Sequence, residues 1–324
     1  MIVLLGTGVV VTLIGNDYRM RERRLSVPVA GGSLDAVLTL PPRDPARGLV
    51  VMVHGDGPVE ATHDGLYRPW FEAAADAGFA TLSWSKPGIG GSTGDWLSQS
   101  MADRAAEAGA VIDHVRGQPD VPAGPVVLWG ASQAGWVLPK LAATRDDIKA
   151  VVAVGPAINW LRQGRYNLLA ELDHDGADAA ERERVIAVSE RTRRLLDDHA
   201  DYDTYLAGSG DPEPMSAARW RFVTRNYTAD ATADLHAMAG RHLPVLLMLG
   251  RHDRNVDTEE TRATYRRILG DRVTVTRFDS MHSLARPVME ESDVVGLATA
   301  VLWPRALLAG GVLDTYREYL RKLA

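Results

Sequence analysis

The sequence predicts an α/β fold, a mostly parallel sheet with helices on both faces. Three observations predict it. From residue 49 onward, short apolar runs alternate with longer amphipathic ones, the rhythm of parallel strands joined by crossover helices. Four of the apolar runs lead into loops that carry His54, Ser132, Asp253 and His282, each close to glycine or aspartate. The chain of 324 residues, 46% hydrophobic and 24% charged, has enough apolar side chain for one large domain with an insertion.

Residues 2–15 contain no charged side chain, and Arg19, Arg21, Arg23 and Arg24 follow closely. As a helix this stretch spans about 21 Å, short of the roughly 30 Å hydrocarbon core of a bilayer. No positive charge precedes it and no cleavage pattern follows it, so it does not read as a secretory signal. Residues 1–24 are therefore expected to be a short membrane anchor with its arginines on the cytoplasmic side, an upstream fragment from a misplaced start codon, or a segment packed on the body. The location expected is cytoplasmic, or membrane-associated and facing the cytoplasm.

Two alternating runs, Leu25–Val29 and Leu34–Leu40, are joined across Gly31 and Gly32 and predict an antiparallel hairpin at the sheet edge, closed by Pro41 and Pro42. Strands are predicted at 49–54, 79–84, 125–130, 149–154, 244–250 and 272–278. Helices are predicted at 66–78, 101–117, 132–144, 257–269, about 292–304 and 311–323. Residues 157–241 interrupt the rhythm. The run from Glu181 to Leu196 is charged, with Val185, Ile186, Val188, Leu195 and Leu196 as its apolar positions, and Gly208–Pro214 is a clear break.

The strand-like run Pro125–Trp129 leads straight into Gly130, Ala131, Ser132, Gln133 and Ala134. A serine between small residues at a strand-to-helix junction reads as a nucleophile elbow, because a larger Cβ at Gly130 or Ala134 collides with the adjoining backbone. The turn lifts the Ser132 hydroxyl above the sheet and leaves the Gln133 N–H at a helix N-terminus, where negative charge is favoured. Downstream, the run Leu243–Gly250 ends in Arg251, His252 and Asp253, and Val273–Phe278 is followed by His282 in a short loop. Serine, aspartate and histidine in this order, each past the carboxyl end of a strand, form the chain order of one known catalytic triad. Upstream, Leu49–Val53 runs into His54, Gly55, Asp56 and Gly57, a glycine-flanked loop able to turn N–H groups toward the nucleophile and complete an oxyanion hole with the Gln133 N–H.

On these residues the chain resembles the α/β-hydrolase superfamily, and is most similar to its capped serine esterase, lipase and serine-aminopeptidase-like branches. The likeness covers about residues 25–156 and 242–304, including the glycine-rich loop Trp84–Ser92. Two departures stand out: Asp56 where glycine or an apolar residue is usual, and Ala134 where glycine is more usual. The resemblance implies a hydrolase core at 25–156 and 242–324 and a helical cap at 157–241, with Trp160, Tyr166, Trp220, Phe222 and Tyr227 as candidates for a substrate-facing side.

The expected chemistry is hydrolysis of a carboxylic ester through an acyl-enzyme. Ser132 is the expected nucleophile, His282 the base, Asp253 the residue that holds the imidazole tautomer, and the N–H groups of Asp56 and Gln133 the oxyanion donors. Amide or peptide hydrolysis, thioester hydrolysis and acyl transfer use the same residues. A non-catalytic binding protein of this fold would lack an intact triad. Asp257 competes with Asp253 but suits a helix N-cap. His252 is expected to point off the site, and His54 to be a structural hydrogen-bonding residue. A carboxylate beside a developing oxyanion opposes it, so Asp56 needs a cationic partner: Lys86, an arginine, or a substrate amine. The net charge of −6 and the absence of a basic stripe argue against a nucleic-acid partner. Absence of cysteine excludes a thiolate nucleophile, and no histidine pair has metal-ligand spacing, so neither metal nor cofactor is expected. The partner expected is a small-molecule ester or related acyl substrate.

Overall fold

The structure, a computed structural model, describes residues 12–323 apart from 44 and 119. Eight strands form one sheet: β1 (Arg21–Val29), β2 (Gly32–Leu40), β3 (Gly48–Val53), β4 (Phe79–Trp84), β5 (Val126–Ala131), β6 (Ile148–Val154), β7 (Val245–Gly250) and β8 (Val273–Phe278), in the order β1-β2-β4-β3-β5-β6-β7-β8. The pairs β1/β2 and β2/β4 are antiparallel, and all the others are parallel. The hairpin reaches back to Arg21, four residues before the alternation becomes visible in sequence, and turns at Ala30 and Gly31, with Gly31 at φ +87°.

Strands β3, β4 and β7 are buried along their whole length, because helices cover both faces of the sheet. Alternate residues of one strand therefore serve opposite cores. Leu49, Val51 and Val53 enter one cluster, while Val50 and Met52 enter the other. The helices are α1 (Arg68–Asp76), α2 (Met101–Arg116), α3 (Leu138–Thr144), α4 (Trp160–His174), α5 (Ala179–Asp197), α6 (Tyr202–Gly208), α7 (Ala217–Asn226), α8 (Thr232–Ala239), α9 (Thr258–Leu269), α10 (Pro287–Glu291), α11 (Asp293–Leu302) and α12 (Val312–Lys322). Trp70 and Phe71 of α1 and Tyr316 and Leu320 of α12 pack one face. Val111 and Ile112 of α2, Leu141 of α3 and Tyr265 of α9 pack the other.

The helix expected over 132–144 is broken in two. A 3-10 segment, Ser132–Trp136, precedes α3, which has proline in its first turn at Pro139. Proline lacks an N–H and suits a helix start, so it begins a second helix instead of continuing the first. The insertion between β6 and β7 holds α4 to α8.

Much of the apolar N-terminal segment, residues 1–11, lies outside the described residues. The described remainder docks on the C-terminal part of the chain: the Asn16 amide donates to Val301 O at 3.0 Å, and Arg305 donates to Gly15 O and Asp17 O, each at 2.6 Å. Of the arginines that follow, Arg19 pairs with Asp76, Arg23 with Asp120 and Arg24 with Asp35, while Arg21 donates to Pro41 O. Among the described residues no helix is long and apolar enough to cross a membrane.

Candidate active site

Strand β5 ends at Ala131, and the next residue, Ser132, turns the chain with φ +54°. A non-glycine residue in this left-handed region is strained by roughly 1–2 kcal/mol. Close packing holds it there. A Cβ on Gly130 would meet the Ala134 Cβ at 2.7 Å and a Leu138 methyl at 2.9 Å, so the turn closes only around glycine. Ala134 is fully buried and small enough to pass. Gln133 follows in the first turn of the 3-10 segment, where backbone N–H groups have no intrahelical acceptor.

Asp253 lies just past β7 with its side chain fully buried. One carboxylate oxygen accepts from the N–H groups of Asn255 and Val256, each at 2.8 Å, and the other meets His282 Nδ1 at 2.8 Å. Nδ1 therefore carries the proton toward the carboxylate, and Nε2 is left as the basic nitrogen. The hydroxyl of Tyr166, from α4, donates to the Asp253 carbonyl at 2.9 Å. Gly155, at φ +46°, faces the pair; a Cβ there would come within 3.2 Å of the imidazole. His282 and Ser132 line the same cavity, of about 750 Å³.

Asp257 and His252 stand apart from this arrangement. Asp257 caps α9, accepting from the N–H groups of Glu259 and Glu260, each at 3.0 Å. His252 pairs through Nε2 with the exposed Asp279 at 2.6 Å.

The loop after β3 is tied down by two basic side chains. Lys86 Nζ donates to Gly55 O at 2.6 Å and Gly57 O at 2.8 Å, and lies 4.7 Å from the centre of the Trp96 ring. Arg104, a buried residue of α2, donates to His54 O and to Gln133 Oε1, each at 2.6 Å. Burial first, then the neighbouring Arg104 charge, pushes the Lys86 amine down to about 6; burial pushes Arg104 down to about 10. His54 is buried, with Nε2 2.9 Å from Ser83 Oγ, and burial together with Lys86 and Arg104 holds its pKa well below the usual histidine range. It is a neutral structural imidazole.

Asp56 finds its partner in the insertion. Arg219 of α7 grips both carboxylate oxygens, Nη1 to Oδ1 at 3.0 Å and Nη2 to Oδ2 at 2.5 Å. Burial opposes ionisation of Asp56, but the hydrogen bonds and charge of Arg219 outweigh it and hold the carboxyl below the ordinary aspartate value.

Aromatic residues expected on the substrate side lie elsewhere. Trp160 stacks on Trp136 at 5.0 Å and lines a separate cavity inside the insertion. Trp220 is 2% exposed, stacks on Tyr205 at 4.1 Å and donates to Ala200 O. Phe222 is fully buried, and Tyr227 is 9% exposed. Neither they nor Tyr166 line the cavity that holds Ser132. Trp220 and Phe222, packed into the insertion's own core, are not free to meet substrate. The cavity wall comes instead from the segments on either side of the insertion: Val59, Leu66 and Trp70 before it, and Met289, Leu297 and Leu308 after it. Sequence patterning offered no signal for these residues as a group, since each reads as ordinary core or helix.

A family model described as serine aminopeptidase, S33, matches residues 44–286. The chain belongs to this hydrolase family. Part of it is 31% identical, over 146 residues, to the hydrolase ORFZ of Pyricularia oryzae; the match spans 42% of this chain and 34% of that protein. Solved structures of similar fold include Est1E of Butyrivibrio proteoclasticus with ferulic acid bound (TM-score 0.58, 17% identity, 92% of this chain and 96% of that one). An esterase of Pyrococcus furiosus is similar as well (TM-score 0.54, 16% identity, 88% and 92%). At these identities the likeness speaks for the α/β-hydrolase fold.

Proposed function

We propose that this hydrolase cleaves carboxylic esters with an apolar acyl group, using Ser132, His282 and Asp253 as its triad and passing through an acyl-enzyme. The observation that carries the reading is the 2.8 Å bond from His282 Nδ1 to a buried Asp253, in a cavity shared with a serine held at φ +54°. A serine hydroxyl is a weak nucleophile at neutral pH and needs a base. In the proposed reaction His282 Nε2 takes the Ser132 proton as Oγ attacks the ester carbonyl. Asp253 stabilises the imidazolium, which then protonates the departing alcohol. Water, deprotonated by the same imidazole, releases the acid. The N–H groups of Asp56 and Gln133 receive the oxyanion, each such donor contributing roughly 3–4 kcal/mol of barrier reduction.

An ester with an apolar acyl group is preferred over a free-amine peptide substrate on two grounds. The cavity wall is mostly aliphatic and aromatic. Asp56, the carboxylate beside the proposed oxyanion donors, is already paired with Arg219 and so is not free for a substrate amine. The expected result with a fluorophosphonate probe is stoichiometric labelling that Ser132→Ala abolishes, together with turnover of para-nitrophenyl esters but not aminoacyl anilides. Labelling that survives in Ser132→Ala, or turnover of anilides alone, overturns the reading.

A further inference from the structure

The loop after β3 has a feature that fold alone does not require: its carbonyl oxygens are gathered on two buried basic side chains. His54 O is held by Arg104, and Gly55 O and Gly57 O are held by Lys86. A trans peptide unit is planar, with its C=O and N–H pointing in opposite directions. Fixing Gly55 O on Lys86 therefore aims the Asp56 N–H the other way, and fixing His54 O on Arg104 does the same to the Gly55 N–H. Gly55 and Asp56 both line the cavity that holds Ser132. Among the described residues the Asp56 N–H has no acceptor. Gly57, at φ +87° with nothing within 4 Å of the position its Cβ would take, is glycine for the turn and not for space.

Arg104 does a second thing. Its other terminal nitrogen holds Gln133 Oε1 at 2.6 Å. One rigid guanidinium thus spans the loop and the elbow, the two backbone segments that carry the oxyanion donors. Lys86 and Arg104 are both buried, which makes them costly to keep. Neither occupies the cavity wall.

Resting on the serine-hydrolase reading above, we propose that Lys86 and Arg104 are positioning residues for the oxyanion hole. Lys86 sets the direction of the Asp56 N–H, and Arg104 sets the spacing between the loop and the Gln133 N–H. Their effect falls on the transition state, because the tetrahedral oxyanion needs both donors at hydrogen-bond distance whereas the planar ester carbonyl of the bound substrate does not.

The test uses the full chain and counts competent sites by fluorophosphonate titration taken to its end point, so that kcat is expressed per titrated Ser132. Variants are Lys86→Met, Arg104→Met and Arg104→Lys. Substrates are para-nitrophenyl esters, and a trifluoromethyl ketone with the same acyl chain reports oxyanion binding. Lys86→Met and Arg104→Met are expected to lower kcat per site roughly 10- to 100-fold, part of the 10²–10³ lost with a whole donor, with KM within about threefold. Ketone affinity should fall by a similar factor, and Arg104→Lys should recover part of the loss. Unchanged kcat per site and unchanged ketone affinity, with only fewer titratable sites, would make both residues structural and overturn the proposal. A loss confined to KM overturns it as well. If Arg104→Met does not fold, Lys86→Met decides. Failure of the underlying reading looks different: the wild-type protein itself is then not titrated at Ser132.

Discussion

Asp253 and Asp257 are separated by three residues, and their carboxylates do different work. Asp253 has both carboxylate oxygens engaged, by two backbone N–H groups and the imidazole, whereas Asp257 spends its side chain on the first turn of α9. With His282 as the proposed base, Asp253→Asn presents the imidazole with the wrong partner and favours the wrong tautomer. The expected loss in kcat is roughly 10⁴-fold with a modest change in KM. Asp257→Asn keeps a capping side chain, so kcat should stay within about twofold and stability within about 1 kcal/mol. Steady-state kinetics and thermal melts on the two variants check the contrast; equal losses in kcat would remove Asp253 from its proposed role. The N-cap position of Asp257 is readable from sequence because it depends on neighbours two and three residues away. The partner of Asp56 is not readable in that way, since Arg219 lies 163 positions downstream on a helix whose placement no local pattern dictates.

Helix α7 and the loop after β3 are joined by the Arg219–Asp56 pair, which links the insertion to the proposed oxyanion site. The side chains are partly exposed, so solvent screens the attraction and its worth is at most about 1 kcal/mol. The sign with pH follows from the depressed Asp56 pKa. Its folded value lies below the ordinary 3.8, so the pair stabilises the protein fully above that value and loses its contribution as pH falls through the folded one. Arg219→Met is expected to lower the melting temperature by about 1–2 °C at pH 7, and the difference should shrink as pH falls below about 4. A difference that grows as pH falls would refute this account. Element boundaries agree with the sequence to within a few residues where apolar period and punctuation coincide, as at β3, β4, β7, α9 and α12. The segment 132–144 departs, because the apolar period runs through Gly135 and Pro139 although the backbone does not.

Across the molecule, the cavity runs from Ser132 toward α11, whose apolar side chains also reach solvent: Leu297 is 69% exposed and still lines the cavity. Val294 and Val301 of the same helix, at 79% and 53%, continue that apolar surface. A long acyl chain leaving the cavity would run along this rim, each added methylene in contact contributing up to about 0.8 kcal/mol. Leu297→Glu should therefore lower kcat/KM several-fold on esters of ten or more carbons and leave the acetyl ester unchanged; a uniform loss across a two- to sixteen-carbon series would separate α11 from acyl recognition. The sequence by itself determined the sheet, the order of its main strands and helices, the elbow at Ser132 and the loops that carry Asp253 and His282. Those features follow from apolar period, glycine sterics and short-range turns, all of which act between near neighbours in the chain. Only the tertiary structure decided that Arg219 takes Asp56, that Lys86 and Arg104 hold the loop carbonyls, and that residues on either side of the insertion wall the cavity. Each of these depends on where distant segments pack. The insertion's aromatic residues illustrate the difference: a tryptophan's hydrophobicity predicts that it will be buried, but not whether substrate or its own helices will cover it.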